Sequence, residues 1–161
     1  FIYTNEFRNN VIDNICNKFK NNSLILVNHL AHGDALYNKL SQSKEKQVFF
    51  VKGEVEVETR DQIKKIMETN SNVICIAMSS IFSTGINIKN IHMIMFASGG
   101  KSFIRTIQSI GRGLRLHETK NKLLIIDICD QLKYGIRHGD KRKEIYKSEK
   151  ISFTTTEIVE K

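Results

Sequence analysis

The sequence predicts an open α/β fold, in which a parallel sheet of about five or six strands carries helices on both faces. Two observations predict it. Short runs of five or six residues are apolar throughout, and each is separated from the next by a segment with helical periodicity. The 161 residues suit one domain with a buried core, and 40% hydrophobic with 26% charged residues is a globular composition.

The predicted elements alternate along the chain. The first helix is predicted over residues 5–20, with an apolar stripe of Phe7, Val11, Ile15 and Phe19. Further helices are predicted over 31–41, 55–69 and 102–116, and strands over 23–27, 47–51, 72–77, 91–96 and 122–127. Ligands of open α/β folds bind at the carboxyl ends of the strands, so function is expected in the segments that follow these strands.

Basic residues become frequent from about residue 134 onward. We therefore predict a main domain over residues 1–133 and a basic helical tail over 134–161, ending in an extended stretch at 151–155. Such a basic helix either follows a phosphate backbone or is a solvated terminal helix, and the sequence does not decide between them. The basic residues that define it are Arg137, Lys141, Arg142, Lys143, Lys147 and Lys150.

Charge and cysteine usage narrow the class of protein. A net charge of +8 suits a polyanionic partner such as nucleic acid. Cys16, Cys75 and Cys129 form no C-x-x-C pair, and the last two are predicted to be small buried hydrophobes within strands. An odd cysteine count and the lack of a leader or of about 20 consecutive apolar residues predict a reducing, cytoplasmic setting without a membrane span. The five histidines show no metal-ligand spacing.

The most informative segment is Gln108–Arg115, which reads QSIGRGLR. On a helix, Phe103, Ile107, Ile110 and Leu114 fall on one face, which is the expected core contact. Gln108, Arg112 and Arg115 fall together on another face, beside a glycine. An arginine presents a permanently charged fork of donors, so this face either binds phosphate or is simply solvated.

This segment resembles the Q-x-x-G-R-x-x-R motif VI of superfamily 2 helicases. The resemblance implies that the chain is the second RecA-like domain of such a motor. It also implies that Arg112 and Arg115 are catalytic arginine fingers that reach the ATP phosphates, with Gln108 at the nucleotide or the interdomain contact.

A second run, residues 76–88, resembles motif V of the same superfamily and follows the third predicted strand. The match implies that Ser79, Ser80 and Thr84 contact a nucleic-acid phosphate. It also implies that Gly85 and Asn87 contact the nucleotide. The family has an aspartate where Asn87 stands, so the ribose contact loses a charge here.

Two shorter matches complete the family order. Leu24–His32 resembles motif IV, which places Asn28 and His29 among the nucleic-acid contacts. The run from Phe50 to Gly53, followed by Glu58–Arg60, resembles motif IVa and places Lys52 and Gly53 at a phosphate. Three features are similar to the group of phage UvsW-type helicases, which remodel branched DNA: the Ser83–Ile88 run, the Ile110–Arg115 run, and the tail positions His138, Arg142, Tyr146 and Phe153.

The resemblance also implies that part of the ATP site lies on another domain. No Walker A sequence or DExH-type box occurs, so ATP with Mg²⁺ would be held mainly by a first RecA-like domain, and this chain alone is expected to lack ATPase activity. Gly99–Ser102 ends like a phosphate loop, but Met95 stands where its first glycine belongs. Asp127 and Asp130 either form a Mg²⁺ pair or, as we favour, cap the loop or meet the basic tail.

Other functions are left open. The expected partner is DNA, with RNA or R-loops as alternatives. A different class of function is a non-catalytic nucleic-acid-binding or regulatory module that keeps the helicase-like fold. A doubly wound metabolic enzyme is disfavoured because the first turn, Asn28–His32, is not glycine-rich.

Overall fold

The structure, a computed structural model, describes residues 2–52, 57–82, 90–99, 103–104, 107–108 and 122–160. Five parallel strands form one sheet, and they are β1 (Ser23–Val27), β2 (Gln47–Val51), β3 (Val73–Met78), β4 (Met93–Phe96) and β5 (Leu124–Asp127). Their order is β2-β3-β1-β4-β5. This arrangement confirms the predicted open α/β class.

Four helices and one short 3-10 turn surround the sheet in the described residues. The helices are α1 (Glu6–Lys18), α2 (Leu30–Leu40), α3 (Val57–Thr69) and α4 (Lys133–Ser148), and the turn is Ser79–Phe82. Residues 103–104 and 107–108 are also helical, within the helix predicted over 102–116. No helix in the described ranges is both long enough and apolar enough to cross a membrane.

The central strand β1 feeds a separate core on each face of the sheet. All five of its residues are buried, because strands pair with it on both sides and helices cover both faces. Leu24 and Leu26 belong to a cluster that includes α3. Ile25 and Val27 belong to the opposite cluster, which includes α1 and α2. Fully buried helix residues of these clusters include Ile63, Met67, Phe103 and Ile107 on the first face and Ile12, Cys16 and Leu36 on the second.

The inward face of α1 differs from the predicted stripe. Phe7, Val11, Ile15 and Phe19 are only partly buried, and of these Ile15 and Phe19 pack against the edge of the core cluster. The buried positions are Arg8, Asn9, Ile12 and Cys16. Arg8 can lie on the inward face because its guanidinium group donates to Asp130 and to the backbone oxygen of Ala97. Asn9 Nδ2 donates to the backbone oxygen of Tyr3, whereas Asn9 Oδ1 is buried without a hydrogen-bond partner in the described residues.

A clamp on Asp127 fixes α4 to the sheet. Arg142 Nε and Nη2 donate to the two carboxylate oxygens at 2.7 and 2.8 Å, and the Tyr146 hydroxyl donates at 2.9 Å. Arg142 is only 1% exposed. The two-point ion pair and the added hydroxyl offset the cost of removing these charges from water. We call Asp127, Arg142 and Tyr146 the Asp127 clamp.

The clamp settles two expectations. Asp127 meets the basic tail, as favoured above. Arg142, however, is not part of an outward basic surface, because the carboxylate at the end of β5 draws it inward. Cys129 was predicted to be buried in a strand, and this was wrong: β5 ends at Asp127, and Cys129 is exposed with its Sγ 3.1 Å from Arg142 Nη2.

Gly135 allows the first turn of α4 to approach the segment after β5. A Cβ at this position would lie 2.3 Å from the backbone oxygen of Asp130, whereas one at Gly139 would lie 3.1 Å from Cys129 Sγ. We expect Gly135→Ala to lower the free energy of unfolding by about 2 kcal/mol, because a backbone oxygen cannot rotate away and overpacking outweighs the gain in helix propensity.

The matched control for this prediction is Gly139→Ala, since the Cys129 side chain can yield to the added methyl group. Urea unfolding followed by circular dichroism should give a clearly lower midpoint for Gly135→Ala than for Gly139→Ala. Equal midpoints would show that the close approach at Gly135 does not limit stability.

Candidate functional site

Polar groups from three neighbouring strands meet at the carboxyl edge of the sheet. Asn28 follows β1, Ser79 follows β3 and Ser98 follows β4. Ser79 Oγ donates to Asn28 Oδ1 at 2.5 Å, Asn28 Nδ2 donates to the backbone oxygen of Gly99 at 3.2 Å, and Asn28 N donates to Ser98 Oγ at 3.1 Å. We call Asn28, Ser79 and Ser98 the strand-exit cluster.

Two buried basic side chains, His32 and Arg8, hold the strand-exit cluster in place. His32 Nδ1 lies 3.1 Å from Ser98 Oγ, and its Nε2 lies 3.5 Å from a terminal nitrogen of Arg8. Arg8 also donates to the backbone oxygen of Ala97, and its Nε donates to Asp130 at 2.7 Å. The resulting chain of contacts links α1, α2 and the exits of β4 and β5.

The contacts of His32 define its protonation state. A guanidinium can only donate, so Nε2 facing Arg8 must accept, and the ring proton lies on Nδ1 and points to Ser98. Burial, then the positive charges of Arg8 and His29, lower the pKa of His32 from 6.5 to about 4. A neutral His32 therefore holds Ser98 in place, and Ser98 holds the backbone of Asn28.

The dependence of stability on pH tests whether neutral His32 supports Ser98 in this way. The folded pKa of His32 lies below its ordinary value, so between about pH 6.5 and pH 4 the unfolded chain takes up a proton that the folded chain does not. We expect His32 to lower the free energy of unfolding by about 3 kcal/mol as the pH falls through that window. Urea denaturation at several pH values measures the slope.

The His32→Gln variant should lose most of that slope between about pH 6.5 and 5, above the main carboxylate range. His92→Gln is the matched control, because His92 precedes β4 at the opposite edge of the sheet. Identical slopes for the wild type and His32→Gln would mean that His32 titrates normally in the folded chain.

Lys52 follows β2 on the same edge. Its Nζ lies 2.6 Å from Asp34 Oδ1, and the two side chains are 58% and 47% exposed. The same ammonium group lies 5.2 Å from the centre of the Phe50 ring. An ion pair this exposed is weak, so an anion of higher charge density can replace Asp34 at small cost.

The remaining predicted site residues in the described part of the chain are surface positions. His29 is the N-cap of α2, is exposed, and has its ring 4.6 Å from that of Tyr3. Ser80 is exposed in the 3-10 turn, and Gln108 is exposed on a helical segment. Gly53, Thr84, Gly85, Asn87, Arg112 and Arg115, and with them the Gly100–Ser102 segment, lie outside the described residues.

The two carboxylates at and just after the end of β5 already have cationic partners. Asp127 faces Arg142, and Asp130 faces Arg8. Across the ranges that the structure describes, no three His, Cys, Asp or Glu side chains are grouped to hold a metal ion. The alternative that Asp127 and Asp130 form a Mg²⁺ pair is therefore replaced by two ion pairs.

Sequence reasoning missed three residues of this region, Arg8, His32 and Ser98, and it placed Arg142 in the basic tail without foreseeing its inward ion pair. The available signal was weak. Arg8 stands beside the apolar stripe of α1, and His32 and Ser98 follow strands at the edge where function was expected. Nothing in a single sequence tells which polar residue near a strand end turns inward, because that depends on a partner from another element.

Comparison with known proteins gives the family. Residues 7–117 match the helicase conserved C-terminal domain. The ATP-dependent DNA helicase uvsW of Enterobacteria phage T4 is 33% identical over 148 residues, covering 82% of this chain and 29% of that protein. The putative mitochondrial ATP-dependent helicase irc3 of Schizosaccharomyces pombe is 43% identical over 60 residues, covering 37% of this chain and 10% of that protein.

Solved structures agree with the family match. The crystal structure of T4 UvsW aligns with a TM-score of 0.68 and 31% identity, over 88% of this chain and 32% of that one. The C-terminal domain of the DEAD-box protein Dbp5 aligns with a TM-score of 0.57 and 16% identity, over 88% of this chain and 77% of that one, and this likeness concerns the fold alone.

The chain thus has the RecA-like fold of helicase C-terminal domains and spans less than a third of the curated relatives it matches. Its match to the family model covers most of the sheet and continues through Gln108–Arg115. The chain belongs to the helicase conserved C-terminal domain family and is related to UvsW.

Proposed function

We propose that this chain is the second motor domain of an ATP-dependent DNA helicase or translocase that remodels branched nucleic acid. In this role it supplies arginine fingers to ATP and phosphate contacts to a nucleic-acid strand. The observation that carries the proposal is the Gln108–Arg115 run, which lies within the family match over residues 7–117. Its spacing puts two arginines and a glutamine on one helix face.

The strand-exit cluster supports the nucleic-acid part of the proposal. Asn28, Ser79 and the nearby Ser80 are hydrogen-bonding groups at the carboxyl edge, where ligands of open α/β sheets bind. His29, Lys52 and Gly53 would add contacts on the same edge. Phosphate would displace Asp34 from Lys52, so this contact should weaken as salt concentration rises.

ATP with Mg²⁺ would be held mainly by a first RecA-like domain carrying Walker A and DExH-type motifs. This chain would contribute Gln108, Gly85 and Asn87 to the nucleotide, and Arg112 and Arg115 to the charge that develops on the γ-phosphate. Closure of the cleft on ATP and its opening after hydrolysis would move the strand past Thr84 and the strand-exit cluster. The phage relative favours the cytoplasm of an infected bacterium as the setting.

DNA-stimulated ATP hydrolysis by the polypeptide that contains both motor domains tests the proposal. Wild type is compared with Arg112→Ala, and nucleic-acid binding is measured in parallel. Lost turnover with retained binding supports the motor role. Unchanged turnover would reject it and favour the other class of function, a nucleic-acid-binding or regulatory module that keeps the helicase-like fold.

A further inference from the structure

The outward face of α4 carries an aromatic and basic depression that the motor role leaves unused. It has a volume of about 140 Å³ and is lined by Tyr134, Arg137, His138 and Lys141. At about 100° per residue, these positions fall within one arc of about 100° on the helix. We call these four residues the α4 basic face.

This face is displaced from the residues that hold the helix in place. The buried positions of α4 are Gly139, Arg142 and Tyr146, whose mean direction lies about 120° around the helix from that of this face. Tyr134 is 70% exposed, so its ring does not serve the core. Within the described part of the chain, neither Arg137 nor Lys141 forms an ion pair with a carboxylate.

Charge and shape together indicate the ligand class. No carboxylate lines the depression, and Asp140, three residues after Arg137, lies 3.5 Å from Lys143 Nζ. An aromatic ring beside a guanidinium and an ammonium group is the combination that binds single strands: bases stack on the ring and phosphates meet the cations. A duplex keeps its bases stacked internally and would use only the cations.

A series of contacts connects the first turn of α4 to the candidate site. Its first turn contacts the backbone of Asp130 through Gly135, and Asp130 pairs with Arg8, which reaches the backbone of Ala97 beside the strand-exit cluster. The Asp127 clamp holds the helix in this orientation. A strand that leaves the carboxyl edge of the sheet can therefore continue over α4.

We propose that the α4 basic face is a second binding surface for single-stranded nucleic acid, with phosphates at Arg137 and Lys141 and one base stacked on Tyr134. The proposal rests on the proposed function only in taking nucleic acid as the ligand. It does not depend on ATP hydrolysis or on the arginines at 112 and 115.

Binding of a dye-labelled oligothymidine and of a duplex of equal length, measured by fluorescence anisotropy on the intact polypeptide, tests the surface. The double variant Arg137→Glu with Lys141→Glu should bind the single strand at least about tenfold more weakly. Its logarithmic salt slope should fall by about 1.4, the value for two lost phosphate contacts on a single strand. Tyr134→Ala should weaken single-strand binding by about tenfold with an unchanged salt slope and little effect on the duplex.

The matched control is Lys143→Glu with Lys147→Glu, which changes the net charge equally on the same helix but outside the depression. If both double variants lose the same affinity, only overall charge matters and the surface is rejected. An unchanged affinity for Tyr134→Ala rejects base stacking and with it a single-strand site. These readouts are affinities, so they separate this surface from the motor role, which fails only if Arg112→Ala keeps its turnover.

Discussion

Arg112→Ala, in the polypeptide that contains both motor domains, is expected to lower DNA-stimulated ATP turnover by about 10³-fold. The reason is electrostatic: an arginine finger neutralises charge that develops on the γ-phosphate, and its loss typically costs 10³-fold or more in turnover. The contact forms mainly in the transition state, so affinity for DNA should change little. A steady-state phosphate-release assay at saturating DNA measures the turnover.

Two further variants sharpen this test. Arg112→Lys keeps the charge but not the forked donors, so it should recover only part of the lost activity if the geometry of the guanidinium matters. Arg115→Ala should also reduce turnover if both arginines act on the phosphates. A wild-type rate for Arg112→Ala at saturating ATP would remove this residue from the active site.

Arg142→Met is expected to lower the free energy of unfolding by about 3 to 5 kcal/mol, the cost of leaving one partner of a buried ion pair alone. Arg142 is 1% exposed, and Asp127 relies on it for two hydrogen bonds. Methionine nearly preserves the volume, so the loss reports the missing charge. Urea denaturation followed by circular dichroism measures it, and a loss of the helix signal in buffer without urea would be the extreme result.

The double variant Arg142→Met with Asp127→Leu separates the contribution of the ion pair to stability from that of side-chain packing. Removing both charges leaves no buried carboxylate without a partner, so the double variant should be more stable than Arg142→Met alone. Tyr146→Phe, which removes one hydrogen bond to Asp127, should cost about 1 kcal/mol. If the double variant is as unstable as the sum of its single variants, the two side chains are not coupled as the clamp requires.

The sheet was predictable because its strands are short, largely apolar runs, and the central strands β1, β3 and β4 are buried on both faces, which requires that pattern. Helix α1 shows the limit of hydrophobic periodicity, because its buried positions lie one residue after those of the apolar stripe. Phe7 and Val11 look like the core face of α1, yet Ile12 and Cys16 occupy it. The inward positions Arg8 and Asn9 are polar, and hydrophobic periodicity cannot foresee hydrogen bonds to other elements.

The sequence predicted which edge of the sheet carries the candidate site, but not the hydrogen bonds that connect its residues. Asn28 and Ser79 were placed on it by motif resemblance, and the structure joins them by a hydrogen bond. The support from His32 and Arg8 depends on which helices pack over the edge, which sequence order does not state. Arg142 illustrates the same point. It turns inward from a basic stretch because it pairs with Asp127, which lies fifteen residues earlier in the chain.

The strand order has a consequence for how the chain folds. Ser23 of β1 pairs with Ile74 of β3 and with Met93 of β4, so the central strand is made early and receives its neighbours late. Such distant pairings slow folding and prolong the exposure of apolar segments during synthesis. A chain cut before Met93 would leave the Ser23–Leu26 edge of β1 open at the centre of the sheet, and an open apolar edge of this kind nucleates aggregation.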